Sequence, residues 1–375
     1  MKLAKLLHLA WEIPVYRQLM EKLKRLDSTA TLVLDAAKPY LIAALYQDLR
    51  LPVLLVTAQA ETSRKLREQI SAWLGSGRVS LFPEADALLY QRVVSDSSTE
   101  LERIQVLSAL ANHQPGTGPP LIIASAPALM QKVTPYSDFT SAGHTIELGM
   151  SVEPIRLLGR WQAIGYRLEN IVEVPGTMSH RGGIVDIFPP ASELPARLEF
   201  LGNTIDSIRL FDTTSQRSLK EVASVDIGPA WEPLAPSRLP NKDTVLDYLP
   251  RQTLLILDEP ASIQKAMETL DAEANGLLRE RLKRGELPRN PPKPYFTWQE
   301  LKPEMDSRQS LSLTWGVAGG EPGQRLNFAT AASYAGRLPL FIKKAKQLLG
   351  QKHRLILVSH QADRLSELLS EAGIV

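Results

Sequence analysis

Four short apolar runs constrain this chain most: TLVLDA (31–36), PVLLVTA (52–58), RVSLFP (78–83) and PLIIASA (120–126). Between them lie PYLIAALYQDL, ETSRKLREQISAWL and STELERIQVLSALANH, each with apolar residues at helical spacing. Alternating units of this kind predict a parallel sheet whose strands are buried beneath helices.

The texture changes near residue 145. After a helix expected around Pro154 to Ile164, short alternating segments follow: GGIVDIF, ARLEFL and TIDSIRLF, separated by PPASELP and by Gly202-Asn203. They predict a small antiparallel sheet with a helix, inserted between two pieces of larger α/β architecture. A third region brings a strand, TLLILD (253–258), a long polar helix to about Glu286 and a further strand candidate in SLSLTWG, before the loop-like VAGGEPGQ (317–324). The last stretch predicts helix–strand–helix from PLFIKKAKQLLG, RLILVSH and QADRLSELLSEAG. The expected division is 1–144, 145–229, 230–326 and 327–375. The last piece reads as the start of a truncated α/β domain, so the chain is expected to be a fragment of a longer protein.

Charge narrows the function classes. With 43 basic and 41 acidic residues the net charge is +2, which supplies no global drive toward nucleic acid or an anionic membrane. Cysteine is absent, which excludes disulfides and thiolate chemistry and suits a reducing cytoplasm. The opening MKLAKLLHLAWEIPVY is interrupted by Lys5, His8 and Glu12 and reads as an amphipathic first helix, not a signal peptide. No stretch has the length of uninterrupted apolar sequence that crosses a membrane.

A parallel sheet raises the question of a nucleotide. A phosphate loop needs glycines whose backbone N–H groups close round the phosphates, and a lysine that adds charge. Here Lys38 is followed by Pro39, and no glycine precedes Gly75. Asp258-Glu259 in LLILDEP imitates a magnesium-holding strand end, but reads as an acidic turn before a helix. The histidines show no paired metal spacing, and no catalytic carboxylate pair stands out. The expectation is no catalytic residue, no metal and no cofactor. Basic clusters at 279–284 and at Lys343, Lys344, Lys346, Lys352 and Arg354 read as solvated helix faces.

The informative stretch is 176–218. In ARLEFL, alternation puts Leu198 and Phe200 on one face and Arg197, Glu199 and Leu201 on the other. If the first pair faces the core, an arginine and a leucine stand exposed about 13 Å apart. Gly202-Asn203 predicts a tight hairpin. Ile205 differs in parity from Ile208 and Leu210, which predicts a bulge near Asp206-Ser207 or burial on both faces. Arg181 is expected to start the preceding strand and to lie beside Arg197. Two arginines flanking an apolar side chain suit a protein-docking patch. An ordinary solvated sheet face with one stray leucine accounts for the same residues equally well.

RGGIVDIFPP, RLEFLGNTIDSIRLFD and SQRS strongly resemble the signature shared by UvrB and the transcription-repair coupling factors (Mfd) in their small UvrA-binding domain. LFPEADALLYQR, STELERIQVLSAL and SAPALMQKVTP resemble the first lobe of the coupling factors. GYRLENIVEVPGTMSHRGG resembles their approach to that domain, and VDIGPAWEP with LDEP their second lobe. The missing phosphate loop, and a short 83–126 interval poor in aromatics, favour the coupling factors over UvrB. The resemblance implies an α/β fold with degenerate helicase-like parallel-sheet lobes, lacking a phosphate loop, and an inserted small α+β antiparallel domain. It implies UvrA contact through Arg181, Arg197 and Leu201, the last where a phenylalanine often stands. RNA polymerase and DNA are then partners of other regions of the intact protein, and a membrane is not. The rival readings are a UvrB-type ATP-dependent repair fragment built on Lys38 and Asp258-Glu259, and a DNA-binding module using the basic C-terminal helix.

Overall fold

The computed structural model describes residues 3–85, 97–113, 118–231, 243–315, 324–334, 337–357 and 361–374. In chain order its strands are β1 (Thr29–Leu32), β2 (Val53–Thr57), β3 (Val79–Phe82), β4 (Leu121–Ser125), β5 (His144–Glu147), β6 (Arg167–Leu168), β7 (Thr177–Arg181) and β8 (Ile184–Ile187). They continue with β9 (Ala196–Leu201), β10 (Thr204–Phe211), β11 (Ser218–Glu221), β12 (Ser224–Ile227), β13 (Leu254–Asp258), β14 (Ser310–Thr314) and β15 (Gln324–Arg325).

The large sheet has the order β15-β1-β14-β13-β2-β4-β3 and its pairings are parallel. Its central strands VLLVT and LIIAS are buried at every position, as expected where both faces are covered. Helices Lys38–Leu49, Ala60–Leu74, Ser97–Ala111 and Pro260–Lys283 connect its strands. Strands from both sides of the small domain interleave: β1 lies between β14 and β15, and β2 lies beside β13. The two flanking pieces therefore share one hydrophobic layer.

The small domain carries a sheet ordered β11-β10-β9-β8-β7-β6, antiparallel except for the β6–β7 pair. One face packs Met178, Val185, Ile187, Leu198, Ile205 and Ile208 in a cluster with Leu157 and Trp161 of helix Pro154–Ala163. Those two helix residues stand four apart, on one side of the helix. β5 pairs antiparallel with β12, so the chain enters and leaves the domain side by side. The expected bulge is present. The β9–β10 register shifts between Ile205 and Ser207, and this lets Ile205 and Ile208 both reach the core.

One expectation is met in a tighter form and another is corrected. The first helix is present, with Leu6, Leu7 and Ala10 buried, but Leu3–Glu12 wind as a 3-10 helix and the α-helix starts only at Pro14. Proline has no N–H to give the preceding turn and pushes the residue before it out of helical geometry; Ile13 is extended at φ −87°, ψ 115°. In RLILVSH, residues 354–357 form no strand, and 358–360 lie outside the described residues. A strand needs a neighbour to take its backbone hydrogen bonds, and the sheets of the described residues do not include 354–357. Of the VAGGEPGQ loop, 317–323 also lie outside the described residues.

By its internal contacts the chain divides into two compact units, Met1–Asn327 and Phe328–Val375. The second unit holds helices Leu338–Gly350 and Ala362–Glu371, which bury Ala345 and Leu369 respectively.

Candidate docking face

The other face of the small sheet is polar. Alternation places Ser179 and Arg181 of β7, Ile184 and Asp186 of β8, and Arg197, Glu199 and Leu201 of β9 on it. The cross-strand register confirms the neighbours: Arg181 opposite Ile184, Asp186 between Ser179 and Arg197, and Glu199 opposite Ile184. Two-residue turns at Gly182-Gly183 and Gly202-Asn203 close the ends. In both, only the first residue has positive φ, at 60° and 64°, the type II′ pattern for which glycine is suited.

Asp186 is the electrostatic centre of this face. It is fully buried, and Arg197 clamps it with two bonds, Nε to Oδ1 at 2.7 Å and Nη2 to Oδ2 at 2.9 Å. Arg197 also donates from Nη1 to the Gln216 carbonyl at 3.2 Å and stacks 4.4 Å above the Phe211 ring. Hydrogen bonding to Asp186 raises the Arg197 pKa further, against the opposing effect of burial. Gln216 is held at φ 57° and reaches the Val172 carbonyl with Nε2 at 3.3 Å. Val172, Phe188 and Phe211 form a small apolar cluster here, so the segment before β7 covers one end of the face.

Arg181 and Leu201 lie beyond that cover. The Arg181 side chain is 55% exposed and donates from Nη2 to Asp186 Oδ2 at 3.3 Å. Leu201 is 76% exposed, beside the turn into β10. Farther along, Arg209 bridges Glu199 at 3.0 Å and Glu221 at 3.2 Å, and Ser207 donates to Glu199 at 2.8 Å.

The expected geometry therefore needs two corrections. Arg181 ends its strand and does not start one, because the glycine pair after it is the turn. It meets Arg197 across β8, at a shared carboxylate. Arg197 is only 16% exposed, because parity fixes a side chain's face but not what covers that face. Asp186, Gln216 and Phe211 also belong to the site, and sequence reasoning missed them. The parity of Asp186 against Arg197 on adjacent strands was the available signal.

Lys38 and Asp258 meet at the carboxyl end of the large sheet. A cleft of about 620 Å³ is lined by Asp35, Lys38, Gln59, Lys65, Asp258 and Glu259 among others. The Lys38 Nζ sits 2.6 Å from Asp35, 2.7 Å from Asp258 and 2.9 Å from Glu259. An ammonium has three N–H donors, and each here faces a carboxylate. Burial lowers the Lys38 pKa, and the three carboxylates outweigh it and raise the value overall.

Residues 145–232 match the family profile described as the UvrB interaction domain. The open face lies within those matched residues. The chain is also similar to transcription-repair coupling factors. That of Myxococcus xanthus is 35% identical over 205 residues, 53% of this chain and 17% of the relative. That of Bacillus subtilis is 30% identical over 197 residues, 52% and 16%. That of Staphylococcus aureus strain USA300 is 29% identical over 215 residues, 57% and 18%. The matched stretch thus spans about a sixth of the length of these curated relatives. Among the described residues no helix is long and apolar enough to cross a membrane, and no group of three or more histidines and carboxylates forms a candidate metal site.

Proposed function

We propose that this chain is the UvrA-docking module of a transcription-repair coupling factor, acting in nucleotide excision repair in the cytoplasm. The observation that carries the reading is an exposed arginine and an exposed leucine, Arg181 and Leu201, on the open face of a UvrB interaction domain. Arg181 steers and orients a partner carboxylate, and Leu201 adds affinity once water is excluded. Arg197 belongs to the same face but supports it from below. RNA polymerase and DNA are reached through regions of the longer protein outside this chain.

The module itself hydrolyses no nucleotide on this reading. The lysine that would answer a phosphate is already saturated by three carboxylates, and an incoming phosphate would meet their negative charge. The basic run at 279–284 is laced by ion pairs of Arg281 and Arg284 with Glu280 and Glu286, which favours a solvated helix face over a DNA contact.

The test is titration of purified UvrA with the chain. Arg181→Glu is expected to weaken binding at least tenfold, about 1.4 kcal/mol, and to lower the unfolding midpoint far less than Arg197→Glu does, because residue 181 can turn to solvent. Equal affinities for the two chains refute the assignment.

A further inference from the structure

Two guanidiniums converge on one buried oxygen. Oδ2 of Asp186 receives Nη2 of Arg197 at 2.9 Å and Nη2 of Arg181 at 3.3 Å. Asp186 itself has no exposed surface and lies on the strand between the two arginines. We propose that Asp186 is the positioning residue of the docking face, holding the Arg181 guanidinium aimed outward before a partner arrives. This rests on the reading of the face as a partner-binding surface.

The charge arithmetic makes the arrangement workable. A carboxylate that held Arg181 alone would orient it and cancel its charge together. Here Arg197 answers Asp186 with the shorter, two-pronged contact, so the trio of side chains keeps a net charge of +1. Of the two arginines, Arg181 is the one that presents it, 55% exposed against 16% for Arg197. Arg197 is in turn immobilised by Phe211 and by Gln216. The chain of support runs from Val172 through Gln216 and Arg197 to Asp186, and ends at Arg181.

An arginine tethered at one prong loses less freedom when its remaining donors close on a ligand, which is the advantage of preorganisation. The partner chemistry follows. The face fits a protein that presents a carboxylate able to take the outward N–H groups of Arg181, with an apolar contact for Leu201.

A double-mutant cycle with purified UvrA separates positioning from mere structural support. Asp186→Asn is expected to weaken binding by tenfold or more when Arg181 is present. In the Arg181→Ala background the same change is expected to alter affinity by less than twofold, because nothing remains to aim. An equal loss in both backgrounds, or no loss in the first, overturns the proposal. Should Asp186→Asn fail to fold, the paired replacement Asp186→Leu with Arg197→Met removes the ion pair together and keeps the volume apolar. That chain is expected to bind weakly and to be indifferent to Arg181→Ala; retained tight binding overturns the proposal. Failure of the unmodified chain to bind UvrA, or indifference to Arg181→Glu, sinks the docking reading and this inference with it. A normal Arg181→Glu effect with an additive Asp186→Asn sinks the positioning role alone.

Discussion

Lys38 and Asp186 are each buried ions, yet their surroundings are opposite in sign. Around Lys38 one ammonium faces three carboxylates, so the group is net negative and its cation is enclosed, with 4% of the side chain exposed. Around Asp186 one carboxylate faces two guanidiniums, so the group is net positive and one of its cations reaches water. The difference teaches what each can do. A surplus of carboxylates over a saturated lysine ties the start of helix Lys38–Leu49 to the end of β13 and offers an anion nothing. A surplus of arginine, held but not cancelled, leaves a directed charge for a partner.

Reversing Arg197 strikes the comparison hardest. Arg197→Glu sets a second carboxylate against Asp186, which has no access to water, and it also forfeits the Phe211 stack. A loss of roughly 3–5 kcal/mol is expected in denaturant unfolding, with binding lost through unfolding of the small domain. A stable Arg197→Glu chain would show that Asp186 is not held as described.

The matching change at the other centre is Lys38→Met. It strands Asp258, but Asp35 is largely exposed and Glu259 partly so. A smaller loss of about 2–3 kcal/mol is expected, with UvrA binding by the folded fraction unchanged. Binding that fell in step with the mutation at equal folded fraction would link the two centres, which the structure keeps apart.

His144 gives the smallest expected effect. Its Nε2 accepts the indole N–H of the buried Trp161 at 3.0 Å. Burial first, and Arg160 second, lower its pKa below the ordinary 6.5. A group whose folded-state pKa is depressed binds more protons when unfolded, so stability is lost as pH falls. The unfolding midpoint is expected to be flat above about pH 6.5 and to drop below it, and His144→Gln is expected to remove that component of the slope. A midpoint that rose on acidification would mean that folding raises the His144 pKa instead of lowering it.

Local pattern carried the sequence a long way. The unbroken apolar runs at 52–58 and 120–126 announced strands covered on both faces, and the odd parity of Ile205 announced the bulge, because side chains alternate with a two-residue period. Non-local facts were not legible in the same manner. Nothing in TLVLDA says that β1 pairs with Leu311–Thr314, far along the chain. RLILVSH has the composition of a strand, but composition supplies no partner. At the docking face, period two assigned Arg197 and Leu201 to one side correctly. It was silent on Val172 and Gln216, which arrive from other segments and submerge the arginine while leaving the leucine bare.

β5 and β12 lie zipped together where the small domain begins and ends. Such a domain has, in effect, a single doorway. It can be lifted out, or dropped into some other host at one loop, and the host need only open a gap as wide as a strand pair between neighbouring backbone ends. Portability of that kind is a property of the side of the module that carries β5 and β12, and it leaves the opposite face at liberty to change with each new lodger.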